Sequence, residues 1–184
     1  LERRYEQMLA AMPLASALMG VLLPLLQRQR RGGASALLLD GMLRGRLLQR
    51  CGHREDGRPT VLLVNLQGPE VEVEALSTAA LVAEAQVNVG FLAAMPDAAS
   101  LLMAAEQSAC QLLVLFSEGP LDPSILQRQL VMLNQHLDCD LALAGGCCAL
   151  QSDVLAATGV HRLGVLGADL GGRVQMLLAG QLDS

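Results

Sequence analysis

The first fifty residues have the pattern of helices. Leu, Ala, Met, Gln and Arg dominate this part of the chain and β-branched residues are rare, which favours helix over strand. Proline and paired glycines interrupt helices, and they occur at Pro13 and at Gly32-Gly33. We therefore predict a helical bundle over residues 1–50. Its helices are expected near 2–12, 14–30 and 34–50.

The third predicted helix has an apolar stripe that we expect to face the core, with charged residues mostly pointing outward. The stripe consists of Leu37, Leu38, Met42, Leu43, Leu47 and Leu48, and the charged residues are Asp40, Arg44, Arg46 and Arg50.

The stretch from Met8 to Leu26 is almost continuously apolar and just reaches the length of a membrane span. Pro13, Gly20 and Pro24 weaken a single continuous helix across it. We therefore expect one or two helices buried within the bundle. Membrane anchoring through this stretch is the alternative.

A polar, turn-rich segment at residues 51–59 predicts a linker, and the pattern changes after it. From Thr60 onward, short continuous apolar runs alternate with helical patterns. Such runs are typical of parallel strands buried on both faces, and the alternation predicts an α/β domain over 60–184 with a flavodoxin-like, doubly wound, five-stranded parallel sheet. The strands are expected at 60–66, 87–92, 111–116, 140–144 and 161–166, and the helices at 70–85, 97–108, 123–137, 152–157 and 171–179.

Ligands of doubly wound sheets bind at the carboxyl ends of the strands, so the loops there hold the candidate binding residues. Glycines in these loops allow a ligand to approach the backbone, and the polar side chains offer hydrogen bonds. The candidate ligand-binding residues are Gly68, Glu70, Glu72, Ser117, Gly145 and Gly146.

Each candidate also has a structural explanation that the sequence leaves open. Glu70 and Glu72 stand in the first turns of a predicted helix, where acidic side chains are favourable to the helix dipole. Ser117 can belong to an ordinary turn, and Gly145 and Gly146 can serve a backbone with positive φ.

Composition excludes several classes of function. The chain has no Lys, which excludes a Walker phosphate loop, a pyridoxal Schiff base and a kinase-type catalytic lysine. With no Trp, one Tyr and two Phe, it lacks the aromatics that stack on single-stranded nucleic acid. Residues 1–58 contain ten Arg and five acidic residues, whereas residues 59–184 contain three Arg and thirteen acidic residues. The acidic part is therefore not expected to bind nucleic acid unaided.

The five cysteines are odd in number and form no Cys-x-x-Cys motif, which indicates a reduced, cytoplasmic protein. The adjacent Cys147 and Cys148 are either a redox or metal sensor or simple packing residues. We predict no metal site.

The motifs of the common enzyme classes are absent. No Gly-x-Gly-x-x-Gly follows a predicted strand, no Gly-x-Ser-x-Gly or His-Glu-x-x-His occurs, and the three histidines are isolated in sequence. We therefore expect that the protein is not an enzyme. The alternative is an enzyme of doubly wound fold that uses Ser117, Glu118 or Cys147 in the cleft.

A helical segment, a polar linker and a five-stranded sheet, in this order, resemble a cobalamin-binding module. The run from Val21 through Pro24 resembles the Val-Leu-x-Pro-x-Leu of that module's bundle, and the run from Leu43 to Leu47 resembles its Leu-Arg-x-x-Leu helix. Gly145-Gly146 matches the family's Gly-Gly after the fourth strand. The run from Leu39 to Leu43 is similar to the sensory halves of MerR-family regulators of the CarH/LitR and MlrA type.

The chain departs from this family where the family binds cobalamin. The family's axial histidine corresponds to Glu72 or, one residue out of register, to Val71. The Trp that caps the upper ligand is missing, and the bundle's Glu-His pair aligns near Ala36 and Leu37. A carboxylate is a poor substitute for imidazole on cobalt. The resemblance therefore implies a cobalamin-type fold that has lost its main cobalamin contacts.

The resemblance implies the effector-sensing and oligomerisation module of a MerR-type transcription regulator, with the DNA-binding domain outside this chain. It implies that no cofactor is bound. It also implies a homodimer or higher homo-oligomer, a small-molecule or protein effector, and a cytoplasmic location. The alternative is a genuine cobalamin-binding, light-sensing module without an axial histidine, with the ligand held by Gly68, Ser117 and Gly145-Gly146.

Overall fold

A computed structural model describes residues 2–29 and 33–180. The helical part comes first. It consists of α1 (Glu2–Ala11), then α2 (Leu14–Ala17), which continues through a π-helical turn (Leu18–Leu22) into α3 (Leu23–Gln29), and finally α4 (Gly33–Cys51). Pro13 separates α1 from α2, as the sequence predicts.

The α/β part follows, with strands and helices in alternation. The strands are β1 (Thr60–Asn65), β2 (Asn88–Leu92), β3 (Leu112–Phe116), β4 (Asp140–Ala144) and β5 (His161–Gly164). The helices are α5 (Glu72–Ala83), α6 (Ala98–Ser108), α7 (Leu130–His136), α8 (Cys147–Leu150), α9 (Ser152–Ala156) and α10 (Leu170–Leu178). A 3-10 turn (Pro69–Val71) precedes α5, and a π-helical turn (Ile125–Gln129) precedes α7.

The five strands form one parallel sheet in the order β2-β1-β3-β4-β5. This is the flavodoxin-like order, so the predicted fold class is confirmed. Successive residues of β1 pack on opposite faces: Val61 and Leu63 face α5, α10 and the helical part, whereas Leu62 and Val64 face α6 and α7. Burial on both faces explains the continuous apolar runs.

One predicted feature is confirmed at the level of a single residue. Asp97 begins α6, and its carboxylate accepts a hydrogen bond from the Ser100 backbone N–H at 3.0 Å. The pKa of Asp97 is lowered, first by the hydrogen bond that the Ser100 hydroxyl donates to it. The polar segment before β1 is held by Asn88, whose side chain bonds both the N–H and the carbonyl of Glu55.

The apolar stripe predicted for α4 is confirmed at Leu43 and Leu47, which are fully buried, and is wrong at its other leucines. The residues that α4 buries are Leu39, Leu43, Leu47 and Cys51, which recur every fourth position. Leu37 and Leu38 are exposed, at 76% and 64%, and Leu48 is 45% exposed. Six closely spaced leucines and a methionine fit more than one helix face, and the packing of α4 on α3 and α5 selects the face that contains Leu39.

Two smaller differences concern one short helix and one strand boundary. Helix α8 (Cys147–Leu150) was not predicted, because a Gly-Gly-Cys-Cys run carries no helical signal. Strand β5 ends at Gly164, before the predicted end at 166, because Gly164 has a φ of +79° and its pairing with Ala144 is shifted.

In the described part of the chain, no helix combines the length and apolar character needed to cross a membrane.

Candidate functional site

A cleft of about 440 Å³ lies where the helical part meets the carboxyl ends of the strands. One wall comes from the helical part, and the other comes from the loops after β1, β3 and β5. Most of the lining is apolar. The lining residues are Met19, Leu23, Pro24, Gln27, Val71, Glu74, Glu118, Val165 and Leu166.

Two carboxyl groups face this cleft. Glu74, in the first turn of α5, is 7% exposed, and Glu118 follows β3 and is partly buried. The pKa of Glu118 is raised, chiefly by burial and then by the negative charge of Glu74, while the backbone N–H of Gly146 acts in the opposite direction. The cleft therefore combines an apolar lining with an acidic group of perturbed pKa, as ligand sites often do.

Glu72 lies beside the cleft in an ion-pair network with α4. Arg44 contacts the Glu72 carboxylate, pairs with Asp40 at 2.6 Å and donates a hydrogen bond to the carbonyl of Pro69 at 2.9 Å. The sequence places Arg44 on the outward face of α4, and this prediction is wrong. The arginine bridges α4 to the 3-10 turn and the start of α5, so it joins the helical part to the sheet part.

Gly68 and Glu70 lie together in the loop after β1. A Cβ atom at Gly68 would overlap the Glu70 carboxylate, so the glycine allows that side chain to fold back over the loop. The Asn65 side chain donates a hydrogen bond to the carbonyl of Gly68 at 3.3 Å. The loop is thus held by its own side chains.

Ser117, Gly145 and Gly146 come together where the loops after β3 and β4 meet. The Ser117 hydroxyl donates to the carbonyl of Gly119 at 2.8 Å, and the Ser117 carbonyl accepts from the backbone N–H of Cys147. A Cβ at Gly145 would lie 2.8 Å from the Ser117 carbonyl carbon, and one at Gly146 would overlap the Glu118 carbonyl. The two glycines therefore allow close packing of one loop on the other.

The six predicted binding residues thus surround the cleft without appearing among its described lining residues. Their immediate neighbours Val71 and Glu118 do line it, so two of the loops named from the sequence border the cleft. Sequence reasoning missed the wall made by the helical part. Met19, Leu23 and Gln27 recur every fourth residue and so share one helix face, which is the signal that would have found them.

Comparison with known proteins gives a likeness at the level of structure. No protein-family model matches the chain, and no curated protein matches it. Its structure is similar to a chain of the methanol:cobalamin methyltransferase complex MtaBC from Methanosarcina barkeri, with a TM-score of 0.57 and 17% sequence identity over 92% of this chain and 69% of that chain. The fold is cobalamin-binding-like. This confirms the fold predicted from the resemblance, and at this identity the likeness concerns the fold alone.

None of the three histidines lies at the carboxyl edge of this cobalamin-binding-like sheet. His53 is exposed in the segment before β1, His136 is in the last turn of α7, and His161 begins β5, so the last two lie at the amino edge. Within the described residues, no group of three or more His, Cys, Asp or Glu side chains could hold a metal ion.

Proposed function

We propose that this chain is the effector-sensing and oligomerisation module of a MerR-type transcription regulator, and that its cleft takes a molecule smaller than cobalamin. The observation that carries the proposal is a cleft whose two walls belong to different parts of the fold. Met19 and Leu23 belong to the helical wall, and Glu118 belongs to the sheet wall. A ligand that contacts both walls favours one placement of the helical part against the sheet. Such differential binding is what a sensor needs in order to shift an equilibrium.

The residues at the cleft do not fit cobalamin. A cobalamin, with its corrin ring, amide arms and nucleotide, is much larger than a cleft of about 440 Å³, which suits a small ligand. The imidazole that the family resemblance requires is also absent, because all three histidines lie away from the carboxyl edge. The lining instead favours an apolar molecule with a hydrogen-bond donor or amine that can reach the Glu118 carboxyl.

The absence of Trp gives a direct test of the cleft. We expect that Met19→Trp, which places the only indole of the chain on the cleft wall, will show a saturable change in emission with hexylamine, with a Kd on the order of 1 mM for so small a probe. Hexanol should bind more weakly, and adding Glu118→Gln should remove the preference for the amine. Fluorescence titration measures each effect.

The matched control is Met103→Trp on α6, where the native side chain is 56% exposed and outside the cleft lining. Its emission should not respond to hexylamine. Cobalamin binding is the second candidate, and the structural likeness to a cobalamin methyltransferase complex favours it. If adenosylcobalamin quenched the Met19→Trp variant saturably and left the Met103→Trp variant unchanged, that candidate would be supported. No response of either variant to any probe would contradict both candidates.

The oligomerisation part of the proposal is supported by an apolar face on α4 that is exposed among the described residues. Over residues 34–48 this face presents no charged side chain. It consists of Ala34, Leu37, Leu38, Gly41, Gly45 and Leu48, all exposed. A Cβ at Gly41 or Gly45 would meet nothing within 4 Å, so a second α4 helix has room to approach closely.

We expect that Leu38→Glu will convert a dimer into a monomer, because it places a charge at the centre of this face. Sedimentation velocity at micromolar concentrations measures the change, and Met103→Glu on α6 should leave the dimer intact. A wild-type chain that is monomeric under these conditions would contradict oligomerisation by this module alone.

A further inference from the structure

A second cavity, of about 330 Å³, lies at the amino edge of the sheet, on the side opposite the cleft. It is bounded by the end of α6 and by the segment between α7 and β4. Two of its lining residues are cysteines, and the Sγ atoms of Cys110 and Cys139 are 3.7 Å apart. Cys110 is 8% exposed and Cys139 is partly exposed, so the thiol pair lies at the wall of a cavity that opens to solvent.

The fold holds these two thiols in place. Ala109 ends α6 with a φ of +49°, and the Cys110 backbone N–H bonds the Ala105 carbonyl at 3.2 Å. Cys139 directly precedes β4. The first residue of that strand is Asp140, whose backbone N–H donates a hydrogen bond to the Gln111 carbonyl at 3.2 Å. Because β3 and β4 are neighbouring parallel strands, the two cysteines stand at the starts of adjacent strands, which is a separation that a disulfide can span.

The pair also has the chemistry of a reactive dithiol. The pKa of Cys110 is lowered to about 7, mainly because the Cys139 thiol donates a hydrogen bond to its sulfur and also because Ser108 donates one. The pKa of Cys139 is raised, since it keeps the shared proton. A thiolate at the wall of a solvent-open cavity is the nucleophile of thiol–disulfide exchange.

The other three cysteines lie outside the lining of this cavity. Burial raises the pKa of Cys51 to about 11. The pKa of Cys148 is also lowered to about 7, by a hydrogen bond from the Cys147 thiol. Both thiols contact backbone carbonyls, those of Ala144 and Leu143, and pack α8 on β4 away from this cavity.

We propose that Cys110 and Cys139 form a reversible thiol–disulfide site that is oxidised by low-molecular-weight disulfides entering this cavity. Cys110 loses its proton to solvent, and the resulting thiolate attacks one sulfur of the small disulfide. The S–S bond breaks, and the leaving thiolate takes up a proton and is released as one small thiol. Cys139 then loses its proton and attacks the Cys110 sulfur of the mixed disulfide, which releases the second small thiol. The pair loses two electrons and two protons, and the small disulfide becomes two thiols.

The charges around the cavity indicate which disulfides react fastest. Glu106 and Asp138 line it, and His136 is the only described side chain of the lining that can carry a positive charge. An anionic disulfide such as oxidised glutathione is therefore repelled, whereas a cationic disulfide such as cystamine is attracted. We expect cystamine to oxidise the pair several-fold faster than oxidised glutathione at equal concentration and low salt.

The test uses the native, full chain treated with cystamine, with the remaining thiols alkylated and the disulfides mapped by mass spectrometry. The expected product is a single Cys110–Cys139 disulfide with no retained cysteamine, reversed by dithiothreitol. Cys139→Ser should trap one cysteamine on Cys110, because the second attack is lost. Cys110→Ser should react about tenfold more slowly, because the thiolate at the cavity wall is gone.

Cys51→Ala is the control variant, and it should form the same disulfide at the wild-type rate. Two results would overturn the proposal: cysteamine retained on the wild type without the cross-link, or a cross-link that forms only in urea. Because the wild-type map identifies the site directly, a poorly folded variant leaves the test intact.

Discussion

Replacing Gly145 by alanine is expected to destabilise the protein by about 3 kcal/mol or more. Gly145 has a φ of +98°, and a Cβ there would lie 2.8 Å from the Ser117 carbonyl carbon, a backbone atom that cannot move aside freely. The backbone N–H of Gly145 also bonds the Gly164 carbonyl at 2.8 Å, so the junction of the loops after β3, β4 and β5 would have to shift. Urea unfolding followed by circular dichroism measures the loss.

Gly41→Ala is the matched control for this substitution. Gly41 lies within α4, is exposed, and would have nothing within 4 Å of an added Cβ. Alanine is the better helix former, so we expect a gain of about 0.5–1 kcal/mol. If Gly145→Ala were as well tolerated as Gly41→Ala, the loop junction would be more open than the structure has it, and a ligand could then reach the glycine backbone.

The α/β part of the fold could be predicted from the sequence because each local pattern there fits only one kind of secondary structure. A continuous run such as Val61 to Val64 contains no polar position that could face solvent, so it fits a strand covered on both faces. Asp97 stands one residue before an apolar helical pattern and caps it. Alternation of such strands with helices leaves few topologies, and the flavodoxin-like order is one of them.

The orientation of α4 could not be predicted, because it depends on neighbours far away in sequence. Leucines stand all around this helix, so no single apolar face can be read from the sequence. Arg44 faces the sheet part because Glu72 and the Pro69 carbonyl lie within its reach, and both come more than twenty residues later. The helical wall of the cleft was missed for the same reason, since Met19 and Glu118 become neighbours only when the helical part covers the strand ends.

The uneven charge of the chain corresponds to a contact between its two parts. Arg-rich α4 packs against acidic α5, with Arg44 paired to Glu72 and Arg50 lying 3.7 Å from Glu84. The Arg50 pair is largely exposed and contributes little free energy. The Arg44 network is less exposed, and its charge-assisted hydrogen bonds depend on direction. It therefore fixes which turn of α4 faces the start of α5.

The burial pattern of α4 leads to the second large effect. Leu43 is fully buried in the core shared by the helical part and the sheet, and we expect Leu43→Ala to cost about 3 kcal/mol in the free energy of unfolding. Leu37→Ala, at a position that is 76% exposed, should change it by less than about 0.5 kcal/mol. Both leucines belong to the stripe that the sequence predicts to be buried, whereas the structure buries only Leu43 of the two. The two free energies of unfolding therefore distinguish the predicted helix face from the observed one.

Urea denaturation should be measured at concentrations low enough to keep the chain monomeric, because a dimer through the apolar face of α4 would bury Leu37 and raise the cost of its truncation. Under those conditions, equal losses at the two positions would show that α4 is rotated from its place in the structure. The proposed second copy on this face requires a different result. Leu37→Ala should then lower the free energy of unfolding only at high protein concentration, whereas the loss for Leu43→Ala should stay constant. One pair of alanine variants therefore tests both the packing of α4 and the partner of its exposed side.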